Sequence, residues 1–257
     1  MRGACVLLAL VLWPAAAWAG LTEQQIGEVV LAAPPGARVP ADLVFREFDG
    51  HGLTLFDAIA GRPTLLIPAD FNCSGICGPA LSIAASALSQ TGLKAGQDYS
   101  LVVVGIDSND GTDAARQFVS GQVGGPGVSV LTGSGEAIDA LLQSIGYRFR
   151  RDTANNVIAH PAAFVTLTAD GRVARTLSSL ALQPADLRLA LLEAGEGKIG
   201  GLAGRLALLC YGFDTVHGIY TAQIVTLLRV GGGATVAILA ALLGFLFWRA
   251  GKREASV

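Results

Sequence analysis

The sequence predicts an α/β domain built on a central mixed sheet with helices on both of its faces. Apolar, β-branched runs such as Leu101–Val104 alternate along the chain with segments whose apolar residues recur at helical spacing, such as the one carrying Ile138 and Leu142. Near the end of the domain, two apolar runs flank Asp170-Gly171, a dipeptide typical of tight hairpins. Strands that alternate with helices and close in a hairpin favour a single sheet with both parallel and antiparallel neighbours.

Turn and capping residues place the individual elements in chain order. Asp49-Gly50-His51-Gly52 predicts a hairpin turn with His51 solvated at its tip, and Ser134 predicts the N-cap of a helix. Gly92 and Gly96 close an earlier helix. Strands are predicted over residues 43–45, 53–55, 62–69, 99–106, 128–131, 147–150, 162–168 and 173–176. Helices are predicted over residues 79–89, 112–119, the segment after Ser134, and 184–194.

The amino-terminal end of the chain predicts export from the cytoplasm. Residues 1–19 combine the basic Arg2, an apolar run and the small-residue cleavage site Ala17-Trp18-Ala19, which together are typical of a secretory signal peptide. Cleavage of this signal peptide would also remove Cys5. Residues 20–40 then form an extended, proline-containing lead-in to the α/β domain, which we assign to residues 41–194.

The carboxyl-terminal end predicts a membrane anchor. The composition is 52% hydrophobic and the mean hydropathy is +0.53, which points to segments that meet lipid. Residues 230–248 carry no charge and are long enough to cross a bilayer as a helix, and the basic tail 249–257 assigns this end to the cytoplasm. Residues 195–229 form a glycine-rich connector and a juxtamembrane segment. The main domain is therefore expected on the outer, periplasmic side of the membrane.

Charge excludes one class of partner. The formal net charge is −2, and no basic run occurs outside the carboxyl-terminal tail. Proteins that bind nucleic acid by neutralising phosphates carry basic patches or stripes. We therefore expect no nucleic-acid partner.

The segment that contains Cys73 and Cys77 gives the clearest indication of a functional site. They lie four residues apart, between a predicted buried strand and a predicted helix. If the turn is helical, this spacing brings both sulfurs to one face, where they can share a metal ion or form a disulfide. A helix N-terminus also favours the thiolate, which binds metals and attacks disulfides. The site is therefore either a metal site or a redox dithiol.

His160 is the third candidate ligand. It lies between the predicted loop 152–159 and the strand 162–168, and in thioredoxin-like architectures the loop entering that strand faces the cysteine turn. Two thiolates and one imidazole suit Cu(I), and Cu(II) with a weak extra ligand, better than they suit Mg²⁺ or Ca²⁺. Structural zinc usually takes four protein ligands, and a fourth is not obvious.

The joint order of these features resembles the SCO/SenC family of copper proteins. The features are a Cys-x-x-x-Cys turn after a strand, an apolar strand that ends in Ile106-Asp107, and His160 before the run Ala163–Arg172. The resemblance covers residues 40–194 and implies a thioredoxin-like fold. It also implies a periplasmic, membrane-anchored domain that delivers copper to the dinuclear copper centre of cytochrome c oxidase, whose copper-receiving subunit would be the partner.

By position, the resemblance implies that Cys73, Cys77 and His160 are the copper ligands. Asp107 matches the acidic residue that usually follows the central strand of the family, with a supporting role only. The chain departs from the family pattern at Ser74, Gly75 and Gly78, where members typically carry Pro, Asp and Pro. Its predicted anchor is carboxyl-terminal, whereas that of the family is commonly amino-terminal.

The same residues also fit other functions. A membrane-tethered thiol–disulfide oxidoreductase would use Cys73 and Cys77 as redox-active residues and would not need His160. A peroxidase-like thiol protein would depend on one cysteine more than on the other. Cys210 and His217 suggest a weak second metal site, but an interfacial patch beside the predicted membrane span is the simpler interpretation.

Overall fold

The structure is a computed structural model, and it describes residues 27–73, 75–152, 157–196, 211–214, 219–222 and 232–243. The strands are β1 (Val30–Leu31), β2 (Val44–Glu47), β3 (Gly52–Thr54), β4 (Thr64–Ala69), β5 (Ser100–Gly105), β6 (Val128–Gly133), β7 (Tyr147–Arg148), β8 (Arg150–Asp152), β9 (Val157–Ala159), β10 (Ala163–Leu167), β11 (Val173–Ser178), β12 (Tyr211–Asp214) and β13 (Ile219–Ala222). The helices are α1 (Leu55–Ile59), α2 (Cys77–Gln90), α3 (Thr112–Val119), α4 (Gly135–Ser144) and α5 (Pro184–Ala194). Residues 232–243 are also helical.

A seven-stranded mixed sheet forms the centre of the domain, with strand order β11-β10-β4-β5-β6-β2-β3. The middle strands β4, β5 and β6 are parallel to one another. The hairpin of β10 and β11 adds antiparallel to β4 on one side, and the hairpin of β2 and β3 adds antiparallel to β6 on the other. This is the mixed sheet that the sequence predicts.

Helices cover both faces of the sheet because the central strands are apolar on both sides. Leu65 and Ile67 of β4 point into a core with α2, α3 and α5, whereas Leu66 between them points into a second core with α1 and α4. Successive side chains of a strand alternate between faces, so one continuous apolar run supplies both cores. The six residues of β4 are all buried, as are the six residues of β5.

Most of the predicted elements are confirmed. The helix bounds of α3 and α5 match the predicted ranges, and Ser134 caps α4 by accepting a hydrogen bond from the backbone N–H of Ala137 at 3.2 Å. The two predicted hairpins are present as β2–β3 and β10–β11. His51 lies exposed at its turn, as expected, and its ring hydrogen-bonds to Asp49 at 2.8 Å.

Several elements are not predicted by the sequence pattern. Helix α1 follows directly on β3, where Thr54 and Asp57 form a reciprocal capping box. Strand β9 lies within the predicted loop 152–159 and pairs with β8. The hairpin of β12 and β13 lies within the segment predicted as a connector.

The predicted terminal segments lie largely outside the described residues. Residues 1–26, which include the predicted signal peptide, and the tail 249–257 are not described. Within the predicted span 230–248, residues 232–243 are helical. Among the residues that are described, no helix meets the length and hydropathy needed to cross a bilayer.

Gly146 provides a test of how tightly the lead-in packs on the domain. It has a φ of +67°, and a Cβ atom there would collide with the backbone carbonyl of Ala32, whose own N–H donates to the Gly146 carbonyl at 3.0 Å. Gly121 has a similar φ of +72° with open space around it. We expect Gly121→Ala to lower the free energy of unfolding by about 1 kcal/mol, because alanine is strained in the left-handed backbone conformation and meets no other obstacle there. Gly146→Ala should lower the free energy of unfolding by about 1–3 kcal/mol more than Gly121→Ala does, because its Cβ also collides with Ala32.

Urea unfolding of the two variants and the parent protein measures this difference. Equal losses in the two variants would show that the lead-in does not pack against Gly146 in solution.

Candidate metal centre

The cysteine loop connects the end of β4 to the start of α2. The backbone N–H of Cys73 donates to the carbonyl of Asp70 at 3.2 Å, which turns the chain directly after the strand. Cys77 is the first residue of α2, so the helix begins two residues earlier than predicted and Cys73 precedes it. The two cysteines therefore do not share a helical turn. Cys73 is half-exposed and Cys77 is buried, and both are free thiols.

A buried carboxylate holds this loop in place. Asp110, which follows β5, accepts a hydrogen bond from the backbone N–H of Phe71 at 3.1 Å. It accepts a second hydrogen bond from the side-chain amide of Asn72. Burial raises the pKa of Asp110. The sequence pattern does not reveal this role of Asp110, because its partners lie 38 and 39 positions away along the chain.

Sheet order brings His160 to the cysteine loop. Strand β10 runs antiparallel to β4, with Val165 opposite Leu66 and Leu167 opposite Thr64. The amino end of β10 therefore lies beside the carboxyl end of β4, where the cysteine loop starts. His160 is three residues before β10, and its Nε2 lies 2.8 Å from the Sγ of Cys77.

The structure thus places the three predicted ligand residues together. Donor atoms of Cys73, Cys77 and His160 all lie within 4.8 Å of one another. Within the described ranges, no other group of three or more His, Cys, Asp or Glu residues brings its donor atoms together in this way. Two sulfurs and one imidazole nitrogen suit soft and borderline metals, copper among them.

Burial keeps Cys77 and His160 uncharged. It raises the pKa of the Cys77 thiol, and the neighbouring Cys73 raises it further. Burial also lowers the pKa of His160, against the opposing influence of the Pro161 carbonyl. At neutral pH, Cys77 is therefore a protonated thiol and His160 a neutral imidazole. A metal ion must displace the proton of Cys77 to bind both sulfurs as thiolates.

Asp107 does not belong to the cluster of donor atoms. It follows β5, and its carboxylate accepts a hydrogen bond from Arg151 at 2.8 Å. This hydrogen bond lowers the pKa of Asp107. The contact joins the end of β5 to β8, and β8 pairs with β9, which ends at the residue before His160. The supporting role of Asp107 stays a prediction.

Tyr147 is a site residue that sequence reasoning misses. It lies in β7 and is 3% exposed, and its hydroxyl oxygen is 2.9 Å from the Nδ1 of His160. The alternation of Tyr147-Arg148-Phe149-Arg150 indicates an inward-facing tyrosine, and a buried tyrosine hydroxyl usually has a hydrogen-bond partner. That pattern does not identify the partner. Cys5, Cys210 and His217 lie outside the described residues.

The chain also matches a known protein family. The family model described as SCO1/SenC matches residues 45–191. None of the curated proteins matches the chain.

Three solved structures with the same fold illustrate the likeness. A protein from Aquifex aeolicus assigned to electron transfer is 22% identical, with 64% of this chain and 96% of that chain covered and a TM-score of 0.58. Copper-bound ScoI from Arabidopsis thaliana is 18% identical, with 63% and 98% covered and a TM-score of 0.52. BsSco, a member of the Sco family of cytochrome c oxidase assembly proteins with an identified disulfide switch, is 20% identical, with 65% and 99% covered and a TM-score of 0.53. The likeness shows that the fold is the thioredoxin-like one.

The burial difference between the two cysteines predicts unequal reactivity. In the reduced, metal-free protein at pH 8, we expect iodoacetamide to modify Cys73 on the order of tenfold faster than Cys77, or more, because Cys77 is buried and its raised pKa reduces the thiolate fraction. Peptide mapping by mass spectrometry, with Cys73→Ser and Cys77→Ser as references, gives the two rates. Faster modification of Cys77 would contradict the burial and the pKa direction.

Proposed function

The chain belongs to the SCO1/SenC family, and we propose that it binds copper through Cys73, Cys77 and His160 and delivers it during assembly of cytochrome c oxidase. One observation carries the proposal: residues from two separate segments place two sulfurs and one imidazole nitrogen within 4.8 Å of one another. A sequence can carry two cysteines by chance, but this set of donors on a shared edge of the sheet needs the fold to assemble it. The donor types favour copper over hard cations.

Copper is the cargo of this site, and the arrangement suits its transfer. Three protein ligands leave the metal open to a further ligand, and Cys73 is half-exposed at the mouth of the site. A thiolate of the receiving protein can therefore approach the metal and replace the ligands of this chain one at a time. The receiving protein is the copper-binding subunit of the oxidase or another copper protein.

The thiol–disulfide oxidoreductase is the second candidate function. The adjacent sulfurs of Cys73 and Cys77 support it, because exchange needs an attacking thiol and a resolving thiol. Cys73 is the more exposed of the two, and burial raises the pKa of Cys77, so Cys73 is the better placed attacking residue. Such an enzyme has no need of His160, whose Nε2 lies beside the Sγ of Cys77. The imidazole therefore favours the metal function.

We place the domain on the outer face of a membrane. The signal peptide predicted over residues 1–19, the apolar segment 230–248 and the basic tail 249–257 support this location. The helix over 232–243 lies inside the predicted span. An anchor at the carboxyl end would tether the copper site close to a membrane-embedded oxidase.

Copper titration of the reduced full chain tests the metal function. We expect about one copper per chain, and a loss of affinity on the order of 100-fold or more for Cys73→Ser, Cys77→Ser and His160→Ala, since each removes a donor atom. Because thiol protons compete with the metal, the apparent affinity should rise as the pH is raised from 6 to 8.

His51→Ala is the matched control for the titration, because His51 is an exposed histidine in a distant turn. It should bind copper as the parent protein does. If His160→Ala binds copper normally and still exchanges disulfides, the oxidoreductase is the better assignment. Copper transfer to a purified, copper-free oxidase subunit, followed by its absorption spectrum, tests the delivery step.

The location is tested separately by processing and fusion experiments. We expect the mature protein to begin at Gly20, and N-terminal sequencing of the membrane fraction measures this. Alkaline phosphatase is active only outside the cytoplasm, so a fusion after residue 229 should be active and a fusion after residue 257 inactive. Two active fusions would contradict the membrane span.

A further inference from the structure

The imidazole of His160 has a partner on each of its two nitrogens. Nε2 faces the Sγ of Cys77 at 2.8 Å. Nδ1 faces two oxygen atoms, the hydroxyl of Tyr147 at 2.9 Å and the backbone carbonyl of Pro161 at 3.2 Å. The Tyr147 hydroxyl also donates to the Pro161 carbonyl at 3.1 Å. These three atoms form a closed triangle on the side of the ring that faces away from the cysteines.

Proton counting in this triangle selects one tautomer of the imidazole. The Pro161 carbonyl can only accept hydrogen bonds, and the Tyr147 hydroxyl has a single proton to donate. If that proton goes to the carbonyl, the hydroxyl oxygen is free to accept from Nδ1–H, and all three groups are satisfied. If Nδ1 carries a lone pair instead, the single Tyr147 proton can go either to Nδ1 or to the Pro161 carbonyl, and the other acceptor has no donor within the triangle. The arrangement therefore favours a protonated Nδ1 and a lone pair on Nε2.

We propose that Tyr147 is a positioning residue that holds His160 in the Nδ1–H tautomer and so directs the Nε2 lone pair toward the metal position beside Cys77. The inference deepens the proposed function, because it assigns the atom of His160 that binds copper. Metal-bound histidines commonly donate their second ring N–H to such a partner, which fixes the orientation of the ring.

The fold gives Tyr147 a rigid position. Its strand β7 pairs with β1 of the lead-in, and the Gly146 carbonyl before it accepts from the backbone N–H of Ala32 at 3.0 Å. Its ring packs in the core that also contains Leu142 and Ile158. The hydroxyl can therefore fix the orientation of the imidazole, although His160 itself lies in a loop.

The tautomer can be measured before any metal is added. In the reduced, metal-free full chain with ¹⁵N-labelled histidine, long-range ¹H–¹⁵N correlation spectra at pH 7.5 distinguish protonated from unprotonated ring nitrogens. His160→Ala assigns the signals among the three histidines of the chain. We expect a protonated Nδ1 and an unprotonated Nε2 for His160. A protonated Nε2 in the parent protein would overturn the proposal, whether or not the chain binds copper.

Tyr147→Phe keeps the ring and removes the hydroxyl. We expect the His160 signals to shift toward a mixture of both tautomers, and copper affinity to fall about 10–100-fold, the range typical of residues that orient a metal ligand. Tyr99→Phe is the control, since Tyr99 is also buried but lies at the opposite end of β5 from the site. It should change neither measurement.

The two readouts separate this proposal from the proposed function. A variant Tyr147→Phe that leaves both the tautomer and the affinity unchanged would show that the tyrosine has only a packing role. If Tyr147→Phe does not fold, the spectrum of the parent protein alone decides the tautomer. A protonated Nδ1 that responds to Tyr147→Phe in a chain that binds no copper would reject the proposed function and retain the positioning role.

Discussion

The antiparallel pairing of β10 with β4 is the constraint on which the site depends. Because the two strands run in opposite directions, the segment entering β10 lies beside the segment leaving β4. The first segment carries His160 and the second carries Cys73 and Cys77. A pairing of β10 in the parallel sense would put the histidine at the far edge of the sheet. The donor set is thus a consequence of strand order and direction, which the apolar core on both faces maintains.

The cysteine loop and the imidazole are each held by a residue that is not itself a proposed metal ligand. Asp110 holds the cysteine loop through Phe71 and Asn72, and Tyr147 holds the imidazole through Nδ1. Because the donor atoms are already held close together, less conformational entropy is lost when a metal binds. Burial also raises the pKa of the Cys77 thiol, so a metal ion competes with the proton of Cys77. Under the proposed function, copper binding is therefore coupled to release of the Cys77 proton.

The parts of the fold that sequence reasoning predicts well are those set by local signals. The bounds of α3 and α5 match the predicted ranges. The apolar runs of β4 and β5 mark the central strands without reference to any partner. The short elements are missed because their stability comes from pairing. Strand β9 has only three residues and is stabilised by pairing with β8. The only local signal for helix α1 is its capping box.

The sequence by itself determined which residue types were available: a cysteine pair after a buried strand, a late histidine before a hairpin, and the order of strands and helices that resembles one copper-binding family. Only the tertiary structure decided that Nε2 of His160 meets Cys77, that Asp110 supports the cysteine loop, and that Tyr147 occupies the other ring nitrogen. The partners of these contacts lie 83, 38 and 13 positions apart along the chain. Periodicity and capping act over a few residues, whereas distances of this kind are set by how the strands pair and the layers pack.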